Sequence, residues 1–194
     1  LREPNRIRSV AVPKTLKATL RPYQKSGYSW LNYMNRLGFG ACLADDMGLG
    51  KTIQVLTYLE KLRKTDKDAK VLLIVPASLI GNWQREKDKF VPAMNSVILH
   101  GRPSTKLAEE AKEELPFLTI TTYAMAAKIE PLKEKEWDCL ILDEAQAIKN
   151  PTTKQTREIK KMKSKMRIAM TGTPIENDLT NLWSLFDFLN HGLL

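Results

Sequence analysis

Cysteine and histidine are scarce in this chain, with two of each among 194 residues. Cys42 and Cys139 each sit in an apolar run without the spacing of metal ligands. They read as small core residues of a reducing compartment, not as a disulfide pair. His100 and His191 stand alone, so no zinc site is expected. Long apolar runs are absent as well. None approaches the roughly 20 residues of a membrane helix, and no membrane partner is expected. The opening residues, LREPNRIRSV, lack the apolar segment of a signal peptide. They begin with Leu, not Met, as a piece excised from a longer protein would. Internal repeats and long linkers are missing too, so one compact domain is expected.

What is present is a globular composition, 43% hydrophobic, with a net charge of +9. Positive charge favours a polyanionic partner, although it also serves solubility. The excess is local. Between positions 149 and 167 stand eight lysines and arginines (149, 154, 157, 160, 161, 163, 165, 167) against the single acid Glu158.

Six short apolar runs recur: GACLA (40–44), VLLIV (71–75), SVIL (96–99), FLTI (117–120), CLIL (139–142) and RIAM (167–170). They are continuous rather than alternating, as strands buried on both faces are. Helical patterns fill three gaps, at 51–64, 79–90 and 105–115, and an amphipathic helix follows at 178–190. In the first of these, Ile53, Leu56, Leu59 and Leu62 fall near one face. Alternation of strand and helix predicts an α/β domain, a mostly parallel sheet flanked by helices on both faces. Residues 1–19 carry no clear pattern and read as a loose arm; 20–194 form the domain.

The segment LADDMGLGKTIQ (43–54) follows the first predicted strand and opens the first predicted helix. It fits G-x-x-x-x-G-K-[ST] at Gly50, Lys51 and Thr52, with Asp45 in place of the first glycine. Backbone N–H groups at such a strand–loop–helix junction face phosphates, and the helix dipole favours negative charge there. Asp45, Asp46, Met47, Gly48, Leu49 and Gly50 would form the loop. Lys51 would reach the β- and γ-phosphates, and the Thr52 hydroxyl would hold Mg²⁺. A glycine turn before an ordinary helix is the other reading of these residues. CLILDEAQAIKN (139–150) brings a buried strand that ends in Asp143 and Glu144. Ligands of open α/β sheets bind at that edge. Asp143 would hold Mg²⁺ through water, and Glu144 would orient and deprotonate the attacking water. Helix capping is the alternative for an acidic pair standing alone.

DDMGLGKT, DEAQAIKN and TGTPIEN (171–177) resemble motifs I, II and III of helicase-like ATPases of superfamily two. In particular they resemble the switch/sucrose-nonfermenting family of DNA translocases and chromatin remodellers, in which Asp commonly replaces the first loop glycine. LRPYQKSGYSWL (20–31) resembles the family's adenine-contacting segment, with Gln24 in the adenine role. LLIVPASLIGNW (72–83) resembles motif Ia and TTY (121–123) motif Ib. The resemblance implies the first RecA-like P-loop NTPase lobe of a two-lobe motor that uses ATP and Mg²⁺. The second lobe, with its arginine finger, would be missing from this chain. It further implies a double-stranded DNA partner held mainly by its backbone and moved along without strand separation. Gln146 stands where many members have His. The compact DEAQ form looks more like prokaryotic members, implying a cytoplasmic, nucleoid-associated location; in a eukaryote it would be nuclear.

Within the resemblance, Gln146, Thr171, Gly172 and Thr173 would couple nucleotide to DNA, although Thr and Gly before Pro174 also suit a plain turn. Pro76, Ser78, Thr121, Thr122, Tyr123, Lys149 and Asn150 would lie on the DNA face, contacting phosphates without reading sequence. Each alone also suits an ordinary loop. Trp83 reads as core, because Leu79 and Trp83 share helical spacing. KKMKSK (160–165) reads as a solvated helix end with Met162 and Met166 turned inward. Two rival functions are a small phosphotransferase, for which no lid or acceptor site is evident, and a non-catalytic DNA-binding module, against which the intact Lys51, Asp143 and Glu144 speak.

Overall fold

In the computed structural model, residues 7–44, 50–172 and 179–190 are described. Six strands form one sheet: β1 (Ala41–Ala44), β2 (Val71–Val75), β3 (Ser96–Leu99), β4 (Leu118–Thr122), β5 (Glu136–Leu142) and β6 (Lys163–Thr171). Every pairing is parallel, in the order β1-β6-β5-β2-β4-β3. Eight α-helices are described around it: α1 (Pro22–Leu37), α2 (Lys51–Thr65), α3 (Ile80–Phe90), α4 (Ser104–Lys112), α5 (Tyr123–Lys128), α6 (Glu130–Glu134), α7 (Lys154–Lys160) and α8 (Leu179–Leu189).

The continuous apolar runs have a direct cause. In β2, Val71, Leu73 and Val75 join the core shared with α1, α2 and α3. Leu72 and Ile74, between them, join the core shared with α4 to α8. A strand covered on both faces has no position to give to a polar residue. The same double cover explains α2. Of the expected Ile53, Leu56, Leu59 and Leu62, all but the half-buried Leu62 are buried, and α2 also buries Val55, Thr57, Tyr58 and Glu60, because α1 and α3 pack on it as well as the sheet. At one α1–α2 contact a Cβ on Gly27 would fall 1.8 Å from Gln54 Oε1, so a larger residue there would have to displace the Gln54 amide.

Three expectations need correction. The described part of the supposed loose arm, residues 7–19, is irregular but docked. Leu16 is buried, Val10 N–H donates to Ser29 Oγ, the Tyr28 hydroxyl donates to Ala11 O, and Lys17 N–H donates to Phe90 O. Second, KKMKSK is a helix end only in its first two residues, and the rest leads into a strand. Helix α7 stops at Lys160 and β6 starts at Lys163, with Met162 and Met166 both buried. Lys160 is not solvated; it is buried, 3.2 Å from Asp187 Oδ2 and over the Trp183 ring.

Third, Arg167 lies inside β6 and does not begin it. Its guanidinium donates to the carbonyls of Phe188, Lys160 and Met162, stitching α7 and α8 to the strand. Burial pulls its pKa down to about 10, which leaves it charged at neutral pH. Arg167→Met should cost about 3 kcal/mol or more, since three carbonyls lose their donor at once. Urea unfolding of parent and variant checks this; a loss below about 1 kcal/mol would show that water replaces the guanidinium.

Candidate nucleotide site

The C-terminal ends of β1, β6, β5 and β2 deliver the motifs to one edge of the sheet. The loop of motif I follows β1. Its residues Asp45 to Leu49 lie outside the described residues, as do Thr173 and the rest of TGTPIEN beyond Gly172. The loop's last residue, Gly50, is described. Its φ of 94° is left-handed, and a Cβ there would meet Gln24 Nε2 at 2.5 Å and Tyr23 Oη at 3.0 Å. The left-handed backbone favours glycine, and any larger residue would also have to displace the Gln24 amide. The contact also places Gln24, the expected adenine residue, against the end of the phosphate loop. Gln24 Oε1 is held by Arg21 N–H at 2.9 Å, in the first turn of α1.

Lys51 is the first residue of α2 and is buried. Its Nζ donates to Thr171 O at 2.9 Å, tying motif I to motif III across 120 positions of sequence. An ammonium has three donors, so this bond leaves others for a phosphate. A Cβ built on Gly172 would lie 3.5 Å from Lys51 Nζ and 3.8 Å from Glu144 Oε1. Motifs I, II and III thus meet within a few ångströms.

Asp143 continues β5 by one bond, its N–H donating to Ile74 O at 2.9 Å. Its carboxylate is held at both oxygens: Oδ1 by Glu144 N–H at 2.8 Å and Oδ2 by the Trp83 indole N–H at 2.7 Å. Burial pushes the Asp143 carboxyl above its ordinary value; the two hydrogen bonds and Lys51 work against that, while Glu144 adds to it. A desolvated carboxylate of this kind gains from a cation. Glu144 has a φ of 49°, the one described non-glycine residue with positive φ. Such a conformation costs on the order of 1–3 kcal/mol and is concentrated at functional sites. Gln146 bridges the two motifs: its Nε2 donates to Glu144 Oε2 and its Oε1 accepts from the Thr171 hydroxyl.

Several expected roles do not survive the placement of the side chains. The Thr121 hydroxyl is buried and donates to Leu99 O at 2.8 Å. Thr122 caps α5 by accepting from Met125 N–H. Tyr123 is buried, and its hydroxyl donates to Asp143 O at 2.6 Å. Burial, with the Asp143 and Glu144 charges, keeps that phenol protonated as a donor. All three side chains are buried with their hydroxyls engaged internally, and that of Tyr123 supports motif II. Pro76 is half-buried, while Ser78, Lys149 and Asn150 are exposed beyond β2 and β5. Asn150 Oδ1 also accepts from the Thr152 N–H and hydroxyl, fixing that turn.

Sequence reasoning missed one site residue on α3. Trp83 is core, as expected, but it also holds Asp143. Burial pushes the Glu86 carboxyl, one turn on, above its ordinary value; the Thr52 hydroxyl, Lys89 and Arg85 work against that, and Asp143 adds to it. The helical place of Trp83 was visible; its partner on another element was not.

A family model described as the SNF2-related domain matches residues 23–194. A putative ATP-dependent helicase/translocase of Bacillus subtilis, YwqA, is 47% identical over 187 residues, 94% of this chain and 20% of that protein. The TATA-binding protein-associated factor MOT1 of Saccharomyces cerevisiae is 36% identical over 205 residues, 99% of this chain and 11% of that protein. This chain therefore spans a minor part of these relatives. Among solved structures, the SWI2/SNF2 ATPase core of Sulfolobus solfataricus in complex with dsDNA superposes with a TM-score of 0.85 at 46% identity, covering 95% of this chain and 38% of that one.

Proposed function

Because this chain belongs to the SNF2-related domain family of helicase-like ATPases, we propose that it is the ATP-binding lobe of a motor that translocates on duplex DNA. By this reading it remodels protein–DNA complexes without separating the strands. The observation that carries the reading is the junction of Lys51, Glu144, Gln146 and Thr171–Gly172, which ties the nucleotide motifs to one another.

In this reading the N-terminus of α2 and Lys51 receive the ATP phosphates. Thr52 and Asp143 are the residues that would hold Mg²⁺: a hydroxyl in the first turn of α2 and a desolvated carboxylate at the end of β5. The cation would neutralise charge on the β- and γ-phosphates. Glu144 takes the proton of the attacking water, and Gln146 aims it. Lys51 senses the γ-phosphate and carries its presence to Thr171. Pro76, Ser78, Lys149 and Asn150 remain the DNA-facing candidates, meeting backbone phosphates. The dsDNA-bound neighbour at 46% identity supports that partner.

The protein with its second lobe should hydrolyse ATP faster when duplex DNA is added. Its DNA affinity should fall steeply with salt while changing little with sequence, as counterion release requires. Hydrolysis indifferent to DNA would overturn the motor reading, and stimulation by a small acceptor instead would favour a phosphotransferase. A strong preference for one duplex sequence at fixed salt would overturn backbone tracking.

A further inference from the structure

Glu144 is held at its tip, where Gln146 Nε2 donates to Oε2. Its root is held as well, by other groups. The peptide unit that joins Asp143 to Glu144 is bonded at both ends. Its carbonyl, Asp143 O, accepts from the Tyr123 hydroxyl at 2.6 Å. Its N–H, that of Glu144, donates to Asp143 Oδ1 at 2.8 Å. The other oxygen of that carboxylate, Oδ2, accepts from the Trp83 indole at 2.7 Å. Three bonds thus fix one corner of the chain. Their two aromatic donors come from opposite sides of the sheet: Trp83 belongs to the core on one face and Tyr123 to the core on the other.

A buried tyrosine hydroxyl usually finds some partner, so the Tyr123 bond by itself decides little. The carbonyl it takes decides more. A planar peptide turns only by changing ψ of the residue before it and φ of the residue after it. The residue after this one is Glu144, the one described non-glycine residue with positive φ. Released from the Tyr123 hydroxyl, the unit would be free to turn, and Glu144 would relax towards an ordinary negative φ. Its carboxylate would then be carried away from Gly172 and the Lys51 ammonium, which it now lies near. Tyr123 also comes from a distance to make the bond. It opens α5 directly after β4, and β2 lies between β4 and β5 in the sheet.

Resting on the reading of Glu144 as the base of an ATPase, we propose that Tyr123 is a positioning residue for that base. Its hydroxyl locks the Asp143–Glu144 peptide and so keeps Glu144 in the left-handed conformation that aims its carboxylate. Trp83 holds the Asp143 carboxylate independently, so the residue that would hold the cation keeps its place without the Tyr123 bond. Loss of the hydroxyl therefore slows turnover and spares nucleotide binding.

Tyr123→Phe tests this by removing one oxygen and keeping the ring in the core. It is compared with the parent, with Glu144→Gln and with the double variant, in the protein with its second lobe and with duplex DNA. Single-turnover hydrolysis at saturating ATP should fall about 10–100-fold in Tyr123→Phe, as expected when a catalytic group is misaimed. Affinity for a non-hydrolysable ATP analogue with Mg²⁺, measured by calorimetry, should stay within about twofold of the parent's. Added to Glu144→Gln, the same substitution should slow hydrolysis by less than about twofold more, because the hydroxyl acts through a base that is already gone. A parent-like rate for Tyr123→Phe would overturn the proposal. So would a similar loss of rate in both backgrounds, a matching loss of affinity, or a variant that does not fold, each of which would make the hydroxyl a purely structural group. Hydrolysis by Glu144→Gln as fast as the parent's would overturn instead the reading of Glu144 as the base.

Discussion

Glu144→Gln should leave ATP affinity nearly unchanged and slow hydrolysis by about 10²–10⁴-fold in the protein with its second lobe. The substitution preserves shape. The residue at 144 sits at a left-handed backbone position, is held by the Gln146 side chain, and lies near Lys51 and Gly172. A glutamine can occupy that place and still offer an oxygen to Gln146. What it cannot do is take a proton. An interaction needed in the transition state and not in the ground state shows itself in turnover, not in binding. Equilibrium binding and single-turnover hydrolysis, measured on one preparation, separate the two. Turnover near the parent's would assign the base to another group.

The second large effect concerns the lobe by itself. Residues 1–194 alone should release phosphate at close to background rate, even with DNA, and the second lobe should raise that rate by about 10³–10⁵-fold. Phosphoryl transfer needs positive charge on the γ-phosphate beyond Lys51 and the cation. The arginines that follow motif II cannot supply it. Arg167 is buried and already committed to three backbone carbonyls. Arg157 is exposed on α7, a helix that packs with α5 and the turn after Glu144. Steady-state phosphate release decides the matter. A rate of about one per second or more from this chain alone, within the ordinary range of enzymes, would remove the need for a second lobe.

The sheet was legible because burial on two faces writes an unmistakable pattern; VLLIV has no other economical explanation in a short segment. The first half of β6 was not. Lys163, Ser164 and Lys165 precede the buried part of the strand, and polar residues there, with Met162 and Met166 four apart, imitate a helix. The nucleotide motifs were legible since their chemistry depends on residues close together in sequence. Misplacement of Thr121, Thr122 and Tyr123 has the opposite cause. The resemblance of TTY to motif Ib suggested the DNA face, yet each side-chain oxygen is engaged internally, by Leu99 O, Met125 N–H and Asp143 O. The role of Trp83 could not be assigned because Asp143, which its indole holds, lies 60 positions ahead.

Strand order also sets a timetable for synthesis. β1 is an edge strand whose one partner in the sheet is β6. Residues 41–44 therefore emerge from the ribosome more than a hundred residues before the strand that will pair with them. Until then the ladder of β1 stays open, and α1, which packs on β1 and on α2, covers that end of the domain. Pairings so distant in sequence are slow to form and leave strand edges exposed meanwhile. The nascent chain thus carries a sheet in two pieces, and its final strand is the wedge that joins them, bringing Thr171 to Lys51 in the same event.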